Sequence, residues 1–447
     1  MKKKSIWLEN IVMSNSMKLN RDIEVDVLII GGGMTGLSCA YYLQNQGLEL
    51  ALVEQNQIGH GVSARTTGKI TYFQDVLLDI EKYRDINETK LYVESQKEAI
   101  NLIKDTIVQH QIECDFSKNN SFLLTKTNQE LFLKHQQLWK QLGIDVKYSQ
   151  PNIAYVQDAY SFHPVKFIYG LKTLINVPIY EQTKVIKIEK DREGYRCYTE
   201  NHQIYANKVI IASHYPFFTI PFYMPLKCYV EKAVLFASRK KQQDYHALSL
   251  DRPLISWRFY KDYQITLSPT PPHKHKEVVY MWTNNDVITY DRIPFIGSVD
   301  KNDSLFVATG YNTWGMTNGF LAGKIISDTL LGQQNKYIAL FNPKRPMNLA
   351  HVSPIMNIAS RNIKGFLLKK NKSNSVFYEK RNGLKVAVYV DEMKKEHVVK
   401  STCPHLGCRI VFNNVEKTWD CPCHGSRFDL EGHVIEGPSQ YDISIKK

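Results

Sequence analysis

The chain has 447 residues, 43% of them hydrophobic and 23% charged, with a formal net charge of +13 and a pI near 9.1. That length exceeds what one core comfortably fills, so two or three structural units are expected, and no apolar run approaches the length of a membrane span. The lysines are scattered and crowd only over residues 364–400, without an aromatic-interleaved basic module, so they read as a solvated surface rather than a nucleic-acid site. The basic start, MKKKSIWLEN, lacks the apolar stretch of a secretory leader, which makes a cytoplasmic location the expectation.

In chain order, residues 25–30 form an apolar run interrupted only by Asp26, suited to a strand buried on both faces of a parallel sheet. The run enters Gly31-Gly32-Gly33-Met34-Thr35-Gly36. In this G-x-G-x-x-G the first glycine, Gly31, makes the tight turn, Gly33 lets backbone approach a pyrophosphate, and Gly36 lets the next helix pack on the strand. That helix is expected over 34–46, stopping at Gly47, so Met34 and Thr35 are also candidate cofactor contacts. A second strand over 49–53 ends in Glu54, where a carboxylate can accept hydrogen bonds from a ribose diol. Strand, loop, helix, strand and terminal acid together read as a dinucleotide-binding unit; the glycines alone would also suit a turn without ligand.

Directly after Glu54 come Gly59, Gly61, Ser63, Arg65, Thr66, Thr67 and Gly68, a small, hydroxyl-rich stretch that could meet phosphate and a flavin edge. The pairing of these two motifs resembles the D-amino-acid oxidase and glycine oxidase superfamily of flavoproteins, and the resemblance continues discontinuously to about Gly332. It implies FAD as cofactor. By the same resemblance, residues 183–188, including Val185, correspond to the strand whose backbone meets adenine, and 209–213, including Ala212, to the strand closing the FAD domain. Residues 291–297, then 305–310 ending at Gly310, then Trp314, Gly315, Met316 and Thr317 resemble the last flavin-contacting segment, where a helix start faces the flavin pyrimidine. Backbone donors and the positive helix end would there stabilise negative charge on a reduced ring.

Between these segments, helices over 87–110 and 129–142 read as scaffold. Strand-like runs at 230–238, 254–268 and 278–283 suggest an antiparallel sheet roofing the flavin, with substrate between sheet and ring. Arg258, able to clamp a carboxylate, His163, and the aromatics Tyr260, Trp282 and Trp314 are the substrate-site candidates. A lone Arg or His in such a stretch serves equally well at a surface or satisfied in a core. More narrowly, the chain resembles bacterial FAD-dependent oxidoreductases with a C-terminal Rieske domain. Where those carry a Gly-Gly and His-Lys segment near the sheet, this chain has Ser268-Pro-Thr-Pro-Pro-His273-Lys274-His275, which leaves the substrate open.

After Gly332 the chain turns basic and polar, with Pro343, Pro346, Pro354 and a lysine-rich run at 364–372, so 341–374 reads as a tether. Strands expected at 384–390 and 397–399 lead to Cys403-Pro-His405-Leu-Gly-Cys408 and, later, Cys421-Pro-Cys423-His424-Gly-Ser426. The C-x-H and C-x-x-H pairs, with fifteen residues between His405 and Cys421, supply two thiolates for one iron and two imidazoles for another, the Rieske arrangement. The alternative is a four-cysteine zinc site, for which C-x4-C and C-x-C are poor spacings. Cys408 and Cys423 resemble the disulfide that staples the two loops in Rieske proteins of cytochrome bc complexes. The same resemblance puts the Ser426 hydroxyl on a bridging sulfide, Phe428 where respiratory proteins carry a tyrosine, and Gly437-Pro438 in the loop covering the cluster. Cys39, Cys114, Cys197 and Cys228 have no close-spaced partners and read as free buried thiols.

The implied fold class is α/β, a Rossmann-like FAD-binding domain with an antiparallel-sheet substrate domain, plus a small all-β Rieske domain. The expected division is a discontinuous FAD domain at 1–100, 155–215 and 290–340, a substrate domain at 101–154 and 216–289, a linker at 341–374 and the Rieske domain at 375–447. The implied function is an FAD-dependent oxidoreductase taking hydride from a small amine, amino-acid-like or 2-hydroxy-acid substrate and passing electrons singly through a 2Fe-2S cluster to an unidentified one-electron acceptor. Two rival readings remain: a redox sensor or interaction protein, and a reductase in which the cluster feeds the flavin.

Overall fold

The structure, a computed structural model, describes residues 1–11, 17–216, 227–272, 277–367 and 375–445. Among them, no helix is long and apolar enough to cross a membrane.

The apolar run begins the central strand, Ile23–Ile30, which pairs in parallel with Leu50–Val53 on one side and Gln203–Ile211 on the other. Leu305–Thr309 extends the sheet in parallel beyond Gln203–Ile211, and Ile179–Tyr180 closes the far side. Val27, Leu28 and Ile29 are fully buried, as a strand covered on both faces requires. Helices Met34–Leu43 and Gly315–Leu330 pack together against this sheet. Residues 183–186, expected as strand, are irregular; the strand starts at Lys187, and Val185 stands in the loop before it.

The second sheet has nine strands. It runs from Val278–Thr289 through Cys228–Arg239, Tyr263–Ser268, Ile255–Tyr260, Tyr245–Ser249, Ser117–Leu124 and Ile153–Ser161 to Lys69–Ile70. It is antiparallel except where Tyr245–Ser249 meets Ser117–Leu124. Lys69–Ile70 and Ile153–Ser161 both belong to this sheet, so it draws on residues 69–70 and 155–161 of the expected FAD domain as well as 153–154 of the expected substrate domain. The single strand expected at 254–268 is a hairpin turning at Lys261, whose φ is +50°.

The segment expected as a tether contains a helix, Val352–Leu367. Its Pro354 lies in the first helical turn, where a missing N–H costs nothing, so the proline that suggested a linker marks a helix start. Beyond it, a three-stranded sheet (Val376–Arg381, Leu384–Val390, Glu396–Lys400) and a four-stranded sheet (Val411–Asn413, Thr418–Asp420, Arg427–Phe428, Val434–Glu436) enclose a core around Trp419 and Phe428, both fully buried.

Candidate functional site

The Ile23–Ile30 strand delivers the chain into Gly31 at φ +110°, where a Cβ would stand 2.6 Å from the carbonyl oxygen of Ala212. Only glycine permits that approach. The Met34–Leu43 helix has no cap from its own N-terminal side chain; instead its Met34 N–H donates to Ser63 Oγ at 3.1 Å, tying the two glycine-rich loops together. Glu54 accepts from Gly32 N–H at 2.7 Å and Asn56 N–H at 2.8 Å, while burial pushes its carboxyl above the ordinary range.

These elements line one cleft. Gly31, Gly33, Met34, Thr35, Glu54, Ser63, Thr66, Thr67, Val185, Ala212, Gly315 and Met316 all face it. The uncapped start of the Gly315–Leu330 helix opens into the same cleft, presenting free N–H donors. The backbone cradle, the carboxylate at its end and the helix starts fit FAD.

Four expected cofactor contacts lie elsewhere. Gly36 packs behind the loop against Gly31, Gly310 packs under Thr289, and Thr317 Oγ1 donates to Gln96 Oε1 at 2.6 Å. Arg65 is instead held by Glu416, from a distant part of the chain: Nη1 donates to Glu416 at 2.7 Å and to Thr283 O at 3.0 Å.

The substrate candidates fare worse. Arg258 is buried with Nη1 on the carbonyls of Thr67, Gly68 and Phe162, so it is a strut between strands, not a clamp. His163 caps the Pro164–Thr173 helix through Nδ1 and packs on Trp7, and the Tyr260 hydroxyl donates to Asp115 at 2.9 Å. Trp282 is fully buried with its indole N–H on Arg65 O. Of the five, Trp314 alone adjoins the cleft, as the residue preceding its helix, and its indole N–H donates to Asp75 at 3.2 Å. His273, Lys274 and His275 lie outside the described residues.

A second cavity of about 300 Å³ adjoins the cleft and shares Leu267, Asp286 and Thr313 with it. Asp75, Asp79, Glu231 and Asp286 line it. Burial and the neighbouring Glu231 push Asp286 up to about 7. No sequence motif announces these residues, since they come from separate strands and loops.

In the C-terminal domain, two loops bring the expected ligands together. Cys403 N–H donates to Cys408 O at 2.8 Å and Cys421 N–H to Ser426 O at 2.7 Å, closing a turn in each loop. The Cys403 and Cys421 thiols hydrogen-bond to each other, which holds Cys403 below its ordinary value and pushes Cys421 above. The His405 and His424 rings stand 5.0 Å apart at 86°. Burial drives both imidazoles toward the neutral form, and Nδ1 of each is buried without a hydrogen-bond partner. Two adjacent thiols and two orphaned imidazole nitrogens fit a cluster with a sulfur-ligated and a nitrogen-ligated iron.

Cys408 and Cys423 form a disulfide, so a four-thiolate zinc site is not available even though Cys421 Sγ lies within 4.8 Å of both. Gly365 of the Val352–Leu367 helix covers this disulfide; a Cβ there would sit 2.2 Å from Cys423 Sγ. Ser426 Oγ accepts from Ser439 N–H at 3.0 Å and also bonds the Cys403 sulfur, while Phe428 is sealed in the core.

The two centres adjoin within one chain. Glu436, Gly437 and Gln440 line the flavin cleft, and Lys184 Nζ donates to Gln440 O at 3.2 Å. Lys232 pairs with Asp420 at 2.7 Å, Asn285 donates to Gly425 O at 3.2 Å, and Arg427 joins Arg65 on Glu416. Burial opposes charge on Glu416, yet Arg65 and Arg427 outweigh it and hold the carboxyl at about 2. Tyr215, just past the Gln203–Ile211 strand, lines the cleft and also packs on both imidazoles, 5.5 Å from His424 and 6.4 Å from His405 between ring centroids.

Comparison with known proteins agrees with both centres. Residues 26–269 match the DAO family, FAD dependent oxidoreductase, and residues 367–445 match the Rieske 2Fe-2S domain. The putative Rieske 2Fe-2S iron-sulfur protein YhfW of Bacillus subtilis is 30% identical, over 97% of this chain and 95% of that protein. The gamma-glutamylputrescine oxidoreductase of Escherichia coli is 25% identical, over 72% of this chain and 88% of its own length. Among solved structures, glycine oxidase from Geobacillus kaustophilus superimposes with a TM-score of 0.60 at 16% identity, covering 73% of this chain and all of that one.

Proposed function

The chain belongs to the DAO family of FAD dependent oxidoreductases and carries a Rieske 2Fe-2S domain, and we propose that it oxidises a small amine or amino-acid-like substrate and passes the electrons from flavin to the cluster of the same chain. FAD supplies a two-electron acceptor at its ring, and the cluster supplies a one-electron exit. The backbone of Gly31 and Gly33 and the Met34 helix start would carry the pyrophosphate, Glu54 the ribose, and the Gly315 helix start the electron-rich edge of the reduced ring. Cys403 and Cys421 would hold one iron, His405 and His424 the other.

The observation that carries this reading is Tyr215, whose ring contacts both imidazoles from inside the flavin cleft. The direction, flavin to cluster, is supported by ligation: two neutral imidazoles reduce the negative charge on a cluster, so Rieske centres at roughly −150 to +300 mV accept electrons more readily than all-cysteine ones. A nitrogen-bearing substrate is supported by what the relatives' names say they oxidise. The buried free thiols Cys39, Cys114, Cys197 and Cys228 suit a reducing compartment and support a cytoplasmic location.

Anaerobic mixing with amines, amino acids and 2-hydroxy acids tests the reading. Flavin bleaching followed by a Rieske-type electron paramagnetic resonance signal is expected. A flavin that bleaches fully while the cluster stays oxidised would sink it, as would flavin reduction driven only by electrons delivered first to the cluster.

A further inference from the structure

We propose that the second cavity takes an amine lacking an α-carboxylate, bound as its cation, with Asp286 as the group that anchors it and accepts its proton. The inference rests on the oxidoreductase reading above and narrows its substrate class.

Position comes first. Asp286 lies on the Val278–Thr289 strand and borders both the flavin cleft and the second cavity, so a substrate in one and a ring in the other would meet at its carboxylate. Its cross-strand neighbour is Glu231, and Asp75 and Asp79 also line the cavity.

Two of the cavity's three arginine and lysine side chains are already committed: Arg292 pairs with Asp79 at 3.1 Å and Lys232 with Asp420 at 2.7 Å, while Arg252 is exposed at the rim. Among the described residues, Leu267, Asp286 and Thr313 border both the cavity and the flavin cleft, so the junction itself offers a carboxylate and no cation for an α-carboxylate to pair with. An amino acid would place its carboxylate against like charge, whereas an ammonium would be attracted.

A second observation points to a ligand at the same spot. Asn284 is 4% exposed, lines the flavin cleft and hydrogen-bonds Asp286, yet its Oδ1 is buried with no partner. A buried carbonyl oxygen left unpaired is costly, and an ammonium N–H supplies the missing donor.

The proton step follows from burial. With Glu231 beside it, and with Asp75, Asp79, Arg292, Lys232, Arg252 and His135 as the other titratable groups around the cavity, Asp286 is pushed up to about 7, close to the optimum for a base working at neutral pH. The carboxylate takes one proton from RCH2NH3+, giving RCH2NH2. Transfer of a hydride from that carbon to FAD leaves RCH=NH2+, which water hydrolyses to the aldehyde and ammonium.

Titration calorimetry on the FAD-loaded full chain, using 1-aminobutane, 1,4-diaminobutane and 2-aminopentanoate, tests this without turnover, since the last differs from the first only by an α-carboxylate. The amines should bind at least about tenfold more tightly than the amino acid. Asp286→Asn should remove that preference by weakening the amines while FAD occupancy stays unchanged. As a second variant, Glu231→Gln should move the pH limb of flavin reduction by amine to lower pH. Tighter binding of 2-aminopentanoate, an unchanged amine affinity in Asp286→Asn, or bleaching by a hydroxy acid but by no amine overturns the proposal and leaves flavin-to-cluster transfer standing. Amine-driven bleaching with an oxidised cluster does the reverse.

Discussion

The Tyr215 ring is tilted 55° against that of His424, and the Tyr215 hydroxyl is buried without a hydrogen-bond partner. Burial pushes that phenol well above its ordinary range, so the side chain stays neutral and acts as an aromatic spacer between cleft and cluster. Tyr215→Leu should leave flavin reduction by substrate near its wild-type rate and slow the subsequent appearance of reduced cluster several-fold. Rapid-mixing spectroscopy at flavin and cluster wavelengths reads both phases separately. An unchanged second phase would remove Tyr215 from the path.

Cys421→Ser would remove one proposed sulfur ligand while leaving the flavin cleft untouched, since Cys421 lies in the core of the C-terminal domain and does not line the cleft. Flavin reduction by substrate should persist, and turnover with one-electron acceptors should fall sharply. Turnover at the wild-type rate in a variant shown to lack iron would favour the sensor reading.

Glu54→Ala should weaken FAD retention by about tenfold or more, because it deletes the proposed ribose acceptor and also frees the Gly32 and Asn56 N–H groups that the carboxylate holds. One lost charged hydrogen bond is worth ~1.5–3 kcal/mol. Flavin occupancy after extensive dilution measures it, and the Rieske signal, which depends on a separate core, should be intact.

Glu416→Gln should loosen the docking of the Rieske domain, because Glu416 is that domain's partner for Arg65 and for the Thr283 N–H on the flavin side, and Arg427, with a side chain 2% exposed, would lose one of its counter-charges as well. Removing one member of a buried pair costs roughly 3–5 kcal/mol. The pH dependence has a definite sign. Because Glu416 is held at about 2 in the folded chain against an ordinary 4.5, its contribution is complete above about pH 4.5 and is lost as pH falls toward 2. Thermal unfolding followed at the cluster absorbance should show the wild type losing stability through that window, and Glu416→Gln should flatten the loss.

Legibility in the sequence follows how local the chemistry is. That Gly31, Gly33 and Glu54 share one cleft is legible because a phosphate cradle and a ribose acceptor lie close in the chain, and that Cys403, His405, Cys421 and His424 come together is legible because two short loops fix their own spacing. The placement of Arg65 is not legible for the opposite reason: its partner Glu416 is 351 residues away. Arg258 shows another limit, since a guanidinium suited to clamping a carboxylate is equally suited to bridging three backbone carbonyls, and only the packing of its neighbours decides. Asp286 and Asn284 gave no signal, as an acid on an ordinary strand acquires its character from the cavity beside it.

The Gly437 loop lines the flavin cleft while Ser439 beside it holds Ser426, so one stretch of backbone serves both centres. With the C-terminal domain seated, Glu436, Gly437 and Gln440 form part of the cleft's wall beside the Gln55–Asn56 turn that follows Glu54. Undocking the iron-sulfur domain would therefore strip that part of the wall away, and the flavin cleft of the isolated N-terminal portion would be the more open of the two.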